Sequence, residues 1–150
     1  MNAPHSRIVR FLRRRHVMTL ATCGAGGEVW CASVFYVYMP EHNIFIFATD
    51  AETRHGREAA ANPQVAATIA DAVRAVGRIK GVQICGDARR LNDNGAGFAE
   101  GFAGDGRKAY LRRFPYAALM RPDLWFLEPR HIKFTDNRLG FGKKLSWDRQ

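Results

Sequence analysis

The sequence predicts a mainly β fold of the α+β kind, a small antiparallel barrel with flanking helices. Three observations carry this expectation. Short runs of Val, Ile, Thr, Phe and Tyr recur between clusters of Gly, Pro, Asn and Asp, which is strand and turn punctuation. Helical spacing is confined to two or three short windows. The longest strand signal, residues 28–39, is mostly apolar on both faces. One face of such a strand fills a barrel, and the other must meet a helix, a ligand or a second subunit.

Taken in order, residues 6–15 set Ile8, Val9, Phe11 and Leu12 on one helical face, with Ser6 as the expected N-cap. This amphipathic helix is expected to pack on the sheet, being too short and too poor in large apolar residues for a lipid surface. Residues 16–23 read as a strand, and Gly24-Ala25-Gly26-Gly27 as a turn. In residues 28–39, Val29, Cys31, Ser33, Phe35 and Val37 share one face, and Trp30, Ala32, Val34, Tyr36 and Tyr38 the other. Pro40-Glu41-His42-Asn43 turns the chain into a strand over residues 44–49.

A helix starts at Thr53 and stops before Pro63, because proline disfavours helical backbone in the residue ahead of it. Residues 65–70 are a short strand and 71–77 a loop. Residues 79–91 are a strand in which Gly81 and Gly86 allow a bulge or a close approach. Residues 92–106 are glycine-rich, and residues 107–114 read as a helix ended by Pro115. Residues 124–127 form a strand that Pro129 is expected to break; residues 132–135 and 141–147 read as a hairpin across 136–140. No linker divides the chain, so residues 1–150 are expected to form one domain with residues 1–15 packed on it.

The bulk properties exclude several classes. No apolar run approaches the roughly 18 residues of a membrane span, and no signal-peptide core follows the N-terminal arginines. The three cysteines lack CxxC spacing, which suits reduced thiols and a cytoplasmic setting. The five histidines show no HExxH pattern, so no metal is expected. There is no GxSxG, and Cys31 reads as core rather than nucleophile. The net charge of +9 brings nucleic acid into view. Only Arg13-Arg14-Arg15 and Arg112-Arg113 cluster, without a nucleic-acid-binding motif, so nucleic acid stays a minor alternative. What remains is a binding protein, or an enzyme whose cofactor carries the chemistry.

Residues 45–65 point to the ligand. Thr53 opens a helix whose first amides lack intrahelical acceptors and carry partial positive charge. Thr49 ends the preceding strand and can add a hydroxyl, Arg54 a two-pronged donor, and His55 a donor that is cationic when protonated. That is a candidate phosphate site.

The run Phe47-Ala48-Thr49-Asp50-Ala51-Glu52-Thr53-Arg54-His55, continuing to Asn62-Pro63, resembles the phosphate segment of the pyridoxamine 5′-phosphate oxidase superfamily, the FMN-binding split barrels. The resemblance implies a six-stranded antiparallel split barrel with Greek-key character. It matches Thr49, Thr53, Arg54 and His55 to FMN-phosphate positions, His55 standing where lysine is usual. It sets the strand around Ser33, Val34 and Phe35 against the flavin ring, Ser33 replacing an arginine of the oxidase. Gln83 falls two residues from the flavin-contacting glutamine of the family, on the same side of its strand. The runs Lys80-Gly81-Val82-Gln83, 107–115, and 132–144 are similar to the YhbP-type bacterial branch.

The resemblance implies a homodimer with FMN between subunits, serving flavin-dependent redox chemistry. It does not imply pyridoxamine 5′-phosphate oxidation itself, since the C-terminal arginine and histidine of that enzyme give way to Lys143 and Lys144. It carries over no catalytic side chain. A sensor that holds FMN without turnover, and haem or a deazaflavin in the same barrel, stand beside it as alternatives.

Overall fold

A computed structural model describes residues 2–91, 101–140 and 143–150. In chain order the elements are α1 (Ser6–Arg14), β1 (Val17–Cys23), β2 (Val29–Met39), β3 (Ile44–Ala48), α2 (Arg54–Ala61), β4 (Gln64–Ala70), β5 (Lys80–Arg90), α3 (Ala103–Arg113), α4 (Ala117–Met120), β6 (Leu124–Asp136) and β7 (Lys144–Asp148). The strands run β3-β2-β1-β4-β5-β6-β7, and β3 also pairs with β6. That second pairing closes six antiparallel strands into a barrel and leaves β7 outside as an extension of β6.

Period-two patterning decides which residues fill the barrel. Met18, Leu20, Val34, Tyr36, Phe45, Phe47, Ile69, Val82, Ile84 and Leu127 form the interior with Ile8, Phe11 and Leu12 of α1. The Tyr36 hydroxyl donates to the carbonyl of Leu12 at 2.8 Å and ties α1 to the barrel. Ile44 and Ile46 point the other way and build a second cluster with Phe102, Tyr110 and Phe126 beneath α3. β3 is therefore buried on both faces, as its unbroken Ile-Phe-Ile-Phe run requires.

β2 departs from this along its length. Toward its end, Val37 and Met39 are covered by the α3 cluster. Toward its start the outer face is bare: Val29 is 74% exposed and Phe35 54%. Phe35 leans on Phe114 and His16, with ring centroids 5.6 and 6.1 Å away. Cys31 lies on this open face and is exposed, so the expectation that it is core does not hold.

Three other expectations change. His5, not Ser6, caps α1, its Nδ1 accepting from the Arg7 amide at 3.2 Å. Pro129 does not end its strand, because β6 shifts register there: Cys85 pairs with His131 and Gly86 with Pro129, leaving Arg130 as the extra residue. A bulge removes the need for the missing N–H. Gly86 makes it sterically feasible, since a Cβ there would lie 2.2 Å from the Glu128 carbonyl oxygen. Finally, α3 starts at Ala103 rather than at residue 107. The expectation for residues 92–100 and for 141–142 lies outside the described residues.

Candidate functional site

β3 delivers Thr49 to the barrel rim, and a tight turn follows. The Asp50 carboxylate accepts from the Glu52 amide at 2.8 Å. The Asp50 carbonyl accepts from both the amide and the hydroxyl of Thr53, at 3.1 and 2.7 Å. The Thr53 oxygen in turn accepts from the Gly56 amide at 3.1 Å, which is the N-cap of α2. Gly56 is part of the device: a Cβ there would sit 2.4 Å from the Asp50 carbonyl oxygen. Only glycine lets the turn press this closely on the helix.

His55 closes the group. Its Nε2 makes a close contact with the Thr49 hydroxyl and lies 3.4 Å from the Thr53 oxygen. The Thr53 proton is already given to Asp50, so that oxygen faces His55 as an acceptor. Burial lowers the imidazole pKa below its ordinary value and favours the neutral ring. Thr49, Thr53 and His55 thus meet beside the first amides of α2, which have no acceptors within the helix.

Arg54 turns the other way. It lies 3.5 Å from Glu28 and 3.5 Å from Glu58, and its guanidinium sits 4.3 Å above the Trp30 ring. Glu58 also accepts from Thr22 at 3.0 Å. Sequence reasoning missed this clamp. The Arg54–Glu58 spacing of four was a legible signal, whereas Glu28 and Trp30 arrive from another strand.

Of the ring-facing candidates, Ser33 and Phe35 lie on the bare outer face of β2, while the Val34 side chain is 5% exposed and belongs to the core. Gln83 is exposed on β5. It shares one lateral row with Ser33, through Ser33–Thr19, Thr19–Thr68 and Thr68–Gln83. Three strand spacings, about 14 Å, separate the two ends of that row. One copy of the chain does not bring Gln83 to Ser33. No helix among the described residues is long and apolar enough to cross a membrane.

A closed six-stranded antiparallel barrel with a capped helix start following its third strand is a split barrel, and solved structures share it. The FMN-binding, pyridoxamine 5′-phosphate oxidase-related protein of Nostoc punctiforme superposes with TM-score 0.72 at 12% identity, over 99% of this chain and 98% of its own. A haem-binding protein of Mycobacterium smegmatis gives TM-score 0.75 at 19% identity, over 99% of this chain but 60% of its own length. At these identities the likeness concerns the fold.

The family model described as pyridoxamine 5′-phosphate oxidase matches residues 5–133, and the chain belongs to that family. Within it the similarity is to UPF0306 proteins. That of Photorhabdus laumondii is 44% identical over 142 residues, covering 95% of this chain and 94% of its own. The UPF0306 protein YhbP of Salmonella arizonae is 43% identical over 140 residues, covering 93% and 90%.

Proposed function

We propose that this protein binds FMN as a flavin-dependent oxidoreductase, with the phosphate at the start of α2 and the ring over the bare face of β2. The observation that carries the reading is the meeting of Thr49, Thr53 and His55 at the first turn of α2, where the Gly56 amide is capped by Thr53 and the amides of Arg54 and His55 precede the first intrahelical bond. Hydroxyls, an imidazole and a helix dipole suit a phosphate dianion. Arg54 joins when it leaves Glu28 and Glu58, a short swing for a side chain whose pairs are long and partly exposed. The flavin would supply the electron-accepting chemistry, and the chain would hold the phosphate and keep water from the ring.

The same reading calls for a homodimer. Val29 and Phe35 are exposed on the outer face of β2, and Tyr116, Leu119 and Met120 on and beside α4. A second copy laid over the β2 face covers apolar surface and brings its own Gln83 or sheet face to the ring. A cytoplasmic setting fits the unpaired thiols.

Titration with FMN, followed by fluorescence quenching and the visible spectrum, tests the proposal; the absence of quenching and of bound flavin bands would sink it. Anaerobic mixing with NADH or NADPH separates turnover from storage, since a sensor leaves the flavin oxidised. One observation favours a second reading, haem. His16 is exposed and stacks on Phe35 at the bare face, where it can serve as an axial ligand. A Soret band that vanishes in His16→Ala would replace FMN by haem.

A further inference from the structure

A second concentration of charge lies away from α2. Arg7, Arg10, Arg14 and Arg15 of the N-terminal segment, Lys80 at the start of β5 and Arg138 beyond β6 surround one hollow of about 290 Å³. Phe11, Phe134 and Leu139 complete its wall, and among the described residues Asp136 is the one carboxylate lining it. That carboxylate is committed: it is 4% exposed and accepts from the Arg138 amide at 3.0 Å and the Arg138 guanidinium at 3.4 and 3.5 Å. Arg15 is committed as well, to Asp71 at 2.8 and 2.5 Å and to the face of Phe11. Among the described residues, Arg7, Arg10, Arg14 and Lys80 have no carboxylate within ion-pair distance.

We infer that this hollow binds a compact polyanion carrying two or more linked phosphate groups, at a site separate from the α2 start. Charge, shape and size support that ligand. Arg7, Arg10 and Arg14 are spaced three and four apart on one helix, where like charges repel and destabilise, and a polyanion between them relieves this. The cations come from three parts of the chain far apart in sequence and line one concavity together, Arg10 and Arg14 also bordering a neighbouring hollow along α1. Arginine and lysine heads at several angles suit linked phosphates, whose oxygens point in all directions. The aromatic side chains of the wall, Phe11 and Phe134, are 3% and 2% exposed, so no ring stands free for a base to stack on. That disfavours single-stranded nucleic acid. The hollow is at the small end of ligand pockets, which suits an oligophosphate.

The inference does not rest on the flavin reading, and its test separates the two. Calorimetric titration of the full chain with tripolyphosphate at low and high salt should show binding that salt weakens. Orthophosphate should bind far less. ATP in a parallel titration distinguishes a free oligophosphate from the phosphate tail of a nucleotide. The double variant Arg10→Glu, Arg14→Glu changes two exposed side chains and should lower tripolyphosphate affinity about tenfold or more. Lys80→Gln should lower it without altering α1. Arg89→Glu, an exposed arginine outside the hollow, should leave it unchanged, and the double variant should bind FMN as the parent chain does.

Absence of tripolyphosphate binding overturns the inference. So does an equal loss in Arg89→Glu, which would mark a general charge effect. Loss of FMN binding in the double variant would make the hollow part of the flavin site. An oligonucleotide that binds more tightly than tripolyphosphate and is lost in Arg112→Glu would assign the charge to a nucleic-acid surface instead.

Discussion

At the start of α2, Arg54 lies between Glu28 and Glu58 and over Trp30, and burial lowers the His55 pKa. On α1, Arg7, Arg10 and Arg14 face Lys80 and Arg138 across a hollow whose one carboxylate is already bound. The first region has hydroxyls, amides and shape but little free charge. The second has free charge and little shape. Both can attract phosphate, by different physics: directed hydrogen bonds in one, summed Coulomb attraction in the other. Counting arginines would rank them in the wrong order for selectivity, because pairing decides which charges remain available.

The sharpest way to break this contrast is Arg54→Ala. If Arg54 leaves its clamp for a flavin phosphate, the variant should weaken FMN by about 1.5–3 kcal/mol, the worth of a charge-assisted contact. The stability of the empty protein should move by less than about 1 kcal/mol, since partly exposed ion pairs are screened. Fluorescence titration and urea unfolding measure the two. FMN affinity that stays constant would leave Arg54 to Glu28 and Glu58 in the bound state too.

Gly56→Ala tests the shape of the same region. The added Cβ meets the Asp50 carbonyl at 2.4 Å, and the backbone turn must move. The expected loss is about 1–3 kcal/mol of stability, the usual cost of overpacking, together with FMN binding. Chemical denaturation of the empty protein reads the first effect. Full stability would show that the turn at Asp50 has slack, and that the α2 start is less shaped than the contrast requires.

The pH dependence sharpens the point about charge. His55 has its pKa lowered from 6.5 in the folded chain, by desolvation. The unfolded chain therefore takes up the proton first as pH falls. The neutral ring is accommodated fully above pH 6.5, and stability is lost as pH drops from there toward the folded-state value. His55→Asn should flatten that acid limb in melting curves. The α1 arginines line a hollow that does not include His55, so variants there should leave the limb unchanged.

How far the sequence carried these conclusions differs between the two regions. The barrel strands were legible because period-two alternation and turn residues are local, and the strand ending in Thr49 followed by a capped helix was legible for the same reason. Pro129 misled because its effect depends on Gly86, a residue on another strand that makes room for the bulge. Arg54 read as free because Glu28 and Trp30 reach it through the fold. The α1 hollow was invisible: Lys80 and Arg138 join Arg7 only after the chain has closed its barrel. Local patterns reveal elements and caps, while the availability of a charge depends on neighbours that only the fold supplies.

The smallest expected effect bears most directly on that last step. Arg10→Glu replaces one of the four arginines of α1 with an acid placed three residues after Arg7, three before Arg13 and four before Arg14. Three helix pairs at i,i+3 or i,i+4 spacing change from repulsive to attractive, each worth about 0.2–0.5 kcal/mol. The empty protein should therefore melt slightly higher in low salt, with the gain fading as salt is added. An unfilled cluster of cations is a local cost, and removing it should stabilise the fold while weakening the polyanion. A variant that melts lower would mean that Arg10 contributes through its packed stem more than it repels through its charge. The contrast between a shaped site and a charged one would then rest on Arg14 and Lys80.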